Sequence, residues 1–212
     1  MKLYSMPGTC ALSVHIALEW TRVPYDLELM AHGDNRQPSY LIINPSGKVP
    51  AIVLDDGRVL TQAAAILIWL VDSHPEARLG ARSDRALERF ELDERLAYFT
   101  SEVHASFGPF FAPSRYLDED SRFDALKAKS LEQVSDHMSA LDGMLGDASF
   151  ILNDRRSVAD AYLYVLTRWA DNLPRGIRPF PNLGRFRVRM EADPGVMAAL
   201  AAQGMAPVGS GA

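Results

Sequence analysis

Apolar and polar positions follow two different rhythms along this chain. In the first part strand periods and helical periods take turns. Lys2 to Tyr4 reads as a short strand, and Tyr25, Leu27 and Leu29 alternate with Asp26 and Glu28 at a period of two. Between them Pro7-Gly8-Thr9 interrupts the chain, and Leu12, Ile16 and Trp20 then recur one helical turn apart. A polar loop from His32 to Arg36 leads to a short helix at Gln37 to Ile43. The apolar runs on either side of Asp56-Gly57 form a strong hairpin signal, because Asp-Gly suits the tight turn that joins two strands. Thr61 is placed to cap a mostly apolar helix from Gln62 to about Asp72, stopped by His74-Pro75. The expected order is β-α-β-α-β-β-α.

Beyond a short linker, Glu76 to Arg82, no strand-period run returns. Ser83 to about Phe107 is helix-forming, and Ser121 to Leu145 carries Phe123, Leu126, Val134, Met138, Leu141 and Leu145 on one stripe. Ser157-Val158-Ala159-Asp160 has the form of a capping box with Asp in the reciprocal position, opening an apolar helix to about Trp169. Asn182 to Glu191 and Pro194 to Ala202 supply two further helices, and the tail from Pro207 is small and polar. The expected architecture is an α/β N-terminal domain over 1–75, a linker over 76–82 and an all-α domain over 83–212.

Composition narrows the function classes. With 212 residues, 48% hydrophobic and 23% charged, the chain is long enough for one large or two small globular domains. A net charge of -5, with no interleaving of aromatics and basic residues, argues against nucleic acid as a partner. The opening residues lack the long apolar region of a signal peptide, and no apolar run approaches the roughly 18 residues of a membrane span. The expectation is a cytoplasmic protein with no membrane partner. One cysteine, Cys10, excludes an internal disulfide, and the scattered histidines show no pair at metal-ligand spacing, so no metal is expected.

The candidate chemistry lies in two places. Cys10 falls at a helix start, where the backbone dipole and unpaired N–H groups favour thiolate over thiol. Cys10-Ala11-Leu12-Ser13 is also a C-x-x-S arrangement, able to hold a mixed disulfide without a second sulfur to resolve it. The second place is Asn44-Pro45-Ser46-Gly47-Lys48-Val49-Pro50-Ala51-Ile52, a turn running straight into a strand. Proline has no N–H for a sheet ladder, so Pro50 sits at the start or edge of that strand. Two readings stand: an ordinary trans proline opening an edge strand, or a cis Val49-Pro50 bond that leaves the N–H and C=O of Val49 free for an extended peptide ligand. A thiol after the first strand and such a proline before the third are what a thioredoxin-like fold brings together.

With these motifs the chain resembles a cytosolic glutathione S-transferase. The Val49-Pro50 run, the Leu54 to Gly57 hairpin, Leu60-Thr61 and the Ser157 to Asp160 box carry the likeness, and Pro7 to Leu12 with Glu102-Val103-His104 resemble the bacterial beta class. The resemblance implies a thioredoxin-like glutathione-binding domain, a helical domain that supplies an apolar co-substrate site, and a homodimer. It implies that Val49 and Pro50 hold the cysteinyl backbone of glutathione, with Cys10 at its sulfur and His104 reaching in from the helical part. Ser5, Lys48, Gln62 and Ala63 fall at further glutathione-binding positions, with His32 and Arg36 as other anchors for the glycyl carboxylate. Phe107, Phe110, Phe111, Tyr116 and Trp169 would form the apolar site.

The departures from that family are specific. Gln62-Ala63 replaces an acidic residue followed by Ser or Gly, and Ser5, Ala11, Ala97 and Ala105 stand where the beta class has Tyr, Ser, Asn and Lys. A neutral amide gives a ligand ammonium one hydrogen bond without charge assistance. The leading expectation is conjugation of the glutathione thiolate to small hydrophobic electrophiles. The alternatives are glutathione-dependent thiol-disulfide exchange or peroxide reduction through Cys10, and a transferase-like protein that binds ligands without turnover.

Overall fold

In the computed structural model, which describes residues 1–81, 86–152 and 155–209, Leu3 and Ile52 meet at the centre of a sheet. Each is fully buried; Leu3 lies between the less buried Lys2 and Tyr4, the strand-period pattern turned into packing, whereas beside Ile52 the small Ala51 is buried as well. The strands are β1 (Lys2–Ser5), β2 (Asp26–Leu29), β3 (Ala51–Val53) and β4 (Val59–Thr61), in the order β2-β1-β3-β4. β1 and β2 run parallel and the other pairs antiparallel. Helices α1 (Ala11–Thr21), α2 (Pro38–Leu41) and α3 (Ala63–Ser73) complete the thioredoxin-like order.

The register gathers three chain ends at one edge. Tyr4 pairs with Ala51, and Ala51 with Thr61, so Ser5, Pro50 and Gln62 follow side by side where the ladder stops. Val49-Pro50 is cis, and β3 lies between β1 and β4. The reading of a trans proline on an edge strand is therefore corrected on both counts. Pro50 stands one residue before the ladder, so its missing N–H leaves no gap in it.

Thr61 does not cap α3, because it is spent as the last residue of β4. Gln62 occupies the cap position at φ 69°, in the left-handed region, and makes no side-chain cap bond. The apolar character of α1 runs all round rather than along the single stripe of Leu12, Ile16 and Trp20. Ala11, Ser13, Val14, His15, Ala17 and Leu18 are buried as well, because it packs on α3 at one side and on the helical part at the other.

Among the described residues the second part has no strand and is built of α4 (Ala86–Tyr98), α5 (His104–Ser106), α6 (Gly108–Phe111), α7 (Phe123–Leu145), α8 (Val158–Trp169), α9 (Pro181–Glu191) and α10 (Pro194–Ala202), with turns between them. Arg82 and Ser83, the expected end of the linker and start of the first long helix, lie outside the described residues. That helix is not continuous to Phe107. Phe99–Val103 forms a π-helical turn, where Thr100 and Ser101 hydroxyls donate back to the carbonyls of Leu96 and Ala97 at 2.9 Å each.

On α7 the expected stripe is buried from Val134 onward, while Phe123 and Leu126 remain partly exposed. The capping box forms as expected. Asp160 accepts from Ser157 N–H at 2.7 Å and from the Ser157 hydroxyl at 2.9 Å, and its other oxygen takes Ile151 N–H at 2.8 Å. Core packing is continuous from Leu3 and Leu12 through Leu163 and Leu166, so the sheet part and the helical part share one apolar interior.

Candidate functional site

Gly8, at φ 79°, makes the turn between β1 and α1 that a residue with a Cβ would strain. Thr9 steadies it by donating its hydroxyl to the Met6 carbonyl at 2.7 Å. Cys10 is the residue before α1, as its position in the sequence suggested. Its Sγ lies 3.8 Å from the Val49 carbonyl, so the thiol and the segment before β3 do face each other. Ser13 is not a second partner there. It is fully buried, and its hydroxyl is committed to the Cys10 carbonyl at 2.7 Å.

Two forces act in opposite senses on this thiol. Burial pushes it up to about 11, and its own backbone N–H, the Tyr162 hydroxyl and the Lys48 ammonium only partly offset that. The expectation that the helix start makes Cys10 a thiolate is thus corrected. Loss of hydration raises the thiol more than these neighbours lower it, and near neutrality Cys10 is a thiol with a proton to donate.

The helical part reaches this turn through α8. Trp169 donates its indole N–H to the Gly8 carbonyl at 2.8 Å, fixing the Cys10 turn from the far side. The π-helical turn ends at His104, whose ring stands edge-on to Trp169 at 4.8 Å between centroids. Nδ1 of His104 is 2.7 Å from the Tyr162 hydroxyl. The Tyr162 hydroxyl also acts on the Cys10 thiol, in the sense that opposes burial. Burial, then the Lys48 ammonium, lowers the His104 pKa and keeps the imidazole neutral.

Beside these lies the aromatic group. Phe107 stacks on Phe111 at 5.7 Å, and Trp169 stands edge-on to both at 5.4 Å. Phe110 meets Phe111 edge-on at 5.3 Å. Phe107 is fully buried and Trp169 nearly so, whereas Phe111 is 49% exposed. The first two therefore underlie the surface that Phe111 presents. Tyr116 is exposed and closes over Gly108, where a Cβ would collide with its hydroxyl.

The remaining expected residues divide. Val49, Pro50, Ser5, Gln62 and Ala63 share the open end of the sheet. Ser5 is fully buried, and among the described residues its hydroxyl has no hydrogen-bond partner. Lys48 is exposed and acts electrostatically on both Cys10 and His104, while its carbonyl is held at 2.6 Å by Tyr40 and by Asn44. Arg36 lies against Gly47 in the same loop, and His32 is exposed on the loop after β2. Sequence reasoning missed Tyr162. The available signal was a tyrosine inside an otherwise apolar helix, whose hydroxyl must find a partner once buried.

Known proteins point the same way. Residues 8–73 match the model of the glutathione S-transferase N-terminal domain, and residues 99–194 that of the C-terminal domain. Glutathione S-transferase GST-4.5 of Xanthomonas campestris pv. campestris is 35% identical over 97% of this chain and 100% of its own length. A sphingomonad glutathione S-transferase solved in complex with glutathione superposes with a TM-score of 0.86 at 36% identity, over 97% of this chain and 100% of that one. The bacterial beta class enzyme of Sphingomonas chungbukensis does so with a TM-score of 0.86 at 37% identity, over 97% and 100%. With both domain models matched and a relative of this identity along nearly its whole length, the chain belongs to the glutathione S-transferase family.

Proposed function

We propose that this protein conjugates glutathione to small hydrophobic electrophiles at the open end of the sheet, with Cys10 as hydrogen-bond donor to the glutathione thiolate. The observation that carries this reading is the approach of Cys10 Sγ to the Val49 carbonyl, with His104 and Tyr162 on the helical side. An extended tripeptide laid along Val49 adds to the ladder where β3 begins, and its sulfur then comes to Cys10. A partly buried, neutral thiol stabilises that anion better than it attacks anything itself. That is why conjugation is favoured over a Cys10-centred disulfide cycle.

Gln62 and the N–H groups opening α3 receive the γ-glutamyl end, and Lys48, with Arg36 beside it, the glycyl carboxylate. Ser5 adds its unpartnered hydroxyl. Phe111 and Tyr116 give the electrophile an apolar surface, seated on Phe107 and Trp169. The division into a glutathione-binding domain and a helical domain falls at 76–82, and the working form is a cytoplasmic homodimer. Exposed Leu87 and Phe90 on α4 support the dimer as apolar surface in want of cover.

Calorimetric titration with glutathione, followed by conjugation of a chlorinated nitroaromatic, tests the reading. Saturable heat and a thioether product are expected. Binding without product favours the ligand-binding alternative, and no heat at millimolar glutathione removes the proposal.

A further inference from the structure

Among the described residues Arg187 is the bulkiest side chain that the fold buries completely, and it lies outside the groups gathered around Cys10. It stands on α9, and its guanidinium reaches the end of α8. Nη1 donates to the Thr167 carbonyl at 3.1 Å and to Asp171 Oδ1 at 2.8 Å, while Nε donates to the Gly209 carbonyl in the C-terminal tail. Nη2 is buried with no partner among the described residues. One turn further along α9, Glu191 takes the same tail by its N–H groups. Its two oxygens accept from Val208 and Gly209 at 2.8 Å each, and the Tyr164 hydroxyl steadies it at 2.9 Å. The tail is therefore held down over Arg187 by its backbone.

Burying a guanidinium is costly, and apolar side chains of similar volume commonly give equal or better stability. What the charge adds is direction. A planar fork with fixed donors sets the places of its acceptors more sharply than packing does. The two acceptors outside the tail are Thr167 and Asp171, which stand two residues before and two residues after Trp169. The Thr167 carbonyl belongs to the last turn of α8, where helix carbonyls run out of partners of their own. Trp169, held between them, fixes the Gly8 carbonyl at 2.8 Å and stands edge-on to Phe111 at 5.4 Å.

We propose that Arg187 is a positioning residue for the apolar co-substrate: from beneath the tail it holds Thr167 and Asp171, and so sets where Trp169 seats Phe111. This deepens the transferase reading and rests on it. Because Arg187 is sealed from solvent, it acts through Trp169 and not on a ligand directly. Its tie to Gly209 makes the tail part of the support of the site.

The full chain labelled with 5-fluorotryptophan gives one ¹⁹F resonance for each of Trp20, Trp69 and Trp169, assigned by replacing each with Phe in turn. Arg187→Lys keeps the charge but not the fork. In it the Trp169 resonance is expected to move and that of Trp69, on α3, to stay. The KM for a chlorinated nitroaromatic should rise about fivefold, with glutathione affinity within about twofold of wild type. A lower urea midpoint with resonance and KM both unmoved would mean that Arg187 serves stability alone, and overturns the proposal. A moved resonance with an unchanged KM for the electrophile overturns it too. Should Arg187→Lys not fold, the chain ending at Pro207 decides, since it removes Val208 and Gly209, opens Arg187 to water and keeps α9 whole. The same movement of the Trp169 resonance is expected there, and a resonance identical to wild type rejects the proposal. If no conjugate forms at all, the transferase reading falls while the resonance still reports whether Arg187 sets Trp169, so the two failures are distinguishable.

Discussion

At the scale of single residues, the state of one proton separates the available chemistries. Burial holds the Cys10 thiol up at about 11, so at neutral pH it offers an S–H to an arriving anion. Cys10→Ala removes that donor without disturbing the Val49 backbone. Conjugation should then lose about tenfold to a hundredfold in kcat/KM, roughly 1.4–2.7 kcal/mol of transition-state stabilisation. Cys10→Ser, which keeps a donor, should recover part of the loss. Steady-state kinetics decide the matter, and an alanine variant as fast as wild type would mean that the anion is held by other groups. Gln62 makes the complementary case on the binding side. It sits at φ 69° at the end of the ladder, and glutamate fits the same backbone. A carboxylate adds charge assistance to a hydrogen bond from the γ-glutamyl ammonium, so Gln62→Glu should tighten glutathione by about tenfold in a calorimetric titration. Unchanged affinity would place the amino end of the ligand elsewhere.

At the scale of elements, what the sequence made legible follows from how local each cause is. Strand β2 and the capping box of α8 depend on neighbours within a few residues, and both form where expected, although Leu29 at the end of β2 is exposed. The cap of α3, the geometry at Pro50 and the interruption before His104 depend on contacts formed by distant chain. Thr61 reads as a cap until β3 claims it as a strand partner, and no periodicity announces the π-helical turn. Tyr162 was hidden for the same reason, since its partner His104 lies on α5. Local causes carry energy as well. Asp160 serves three buried hydrogen bonds that join α8 to the segment preceding it. Asp160→Ala leaves the Ile151 and Ser157 N–H groups without partners and should cost about 3–4 kcal/mol, seen as a lower urea midpoint at unchanged m. A loss below 1 kcal/mol would mean that other acceptors can take up these donors.

At the scale of the whole molecule, α1 joins the two parts, and His15 is its polar pivot. The imidazole is fully buried, with Nε2 2.7 Å from the Tyr25 hydroxyl and Nδ1 2.9 Å from the Gln203 amide at the end of α10. Burial lowers its pKa to about 4, against a smaller opposing pull from Glu19 at 3.9 Å. Above pH 6.5 the histidine is neutral both folded and unfolded, and adds no pH dependence. As the pH falls from 6.5 towards 4 the unfolded chain takes up a proton that the folded one refuses, so stability falls. Asp160 works in the opposite sense, because burial raises it to about 6 and the folded state resists its ionisation as the pH rises. The clean quantity is therefore the difference between wild type and His15→Gln, in which Asp160 cancels and glutamine keeps a donor and an acceptor beside Tyr25 and Gln203. Urea unfolding at pH 7.5 and 4.5 should show wild type losing about 2.5 kcal/mol more than the variant over that interval. Equal losses would mean that His15 takes up its proton without disturbing the junction of α1 and α10, and that acid sensitivity, if any, arises away from the contact between the two parts.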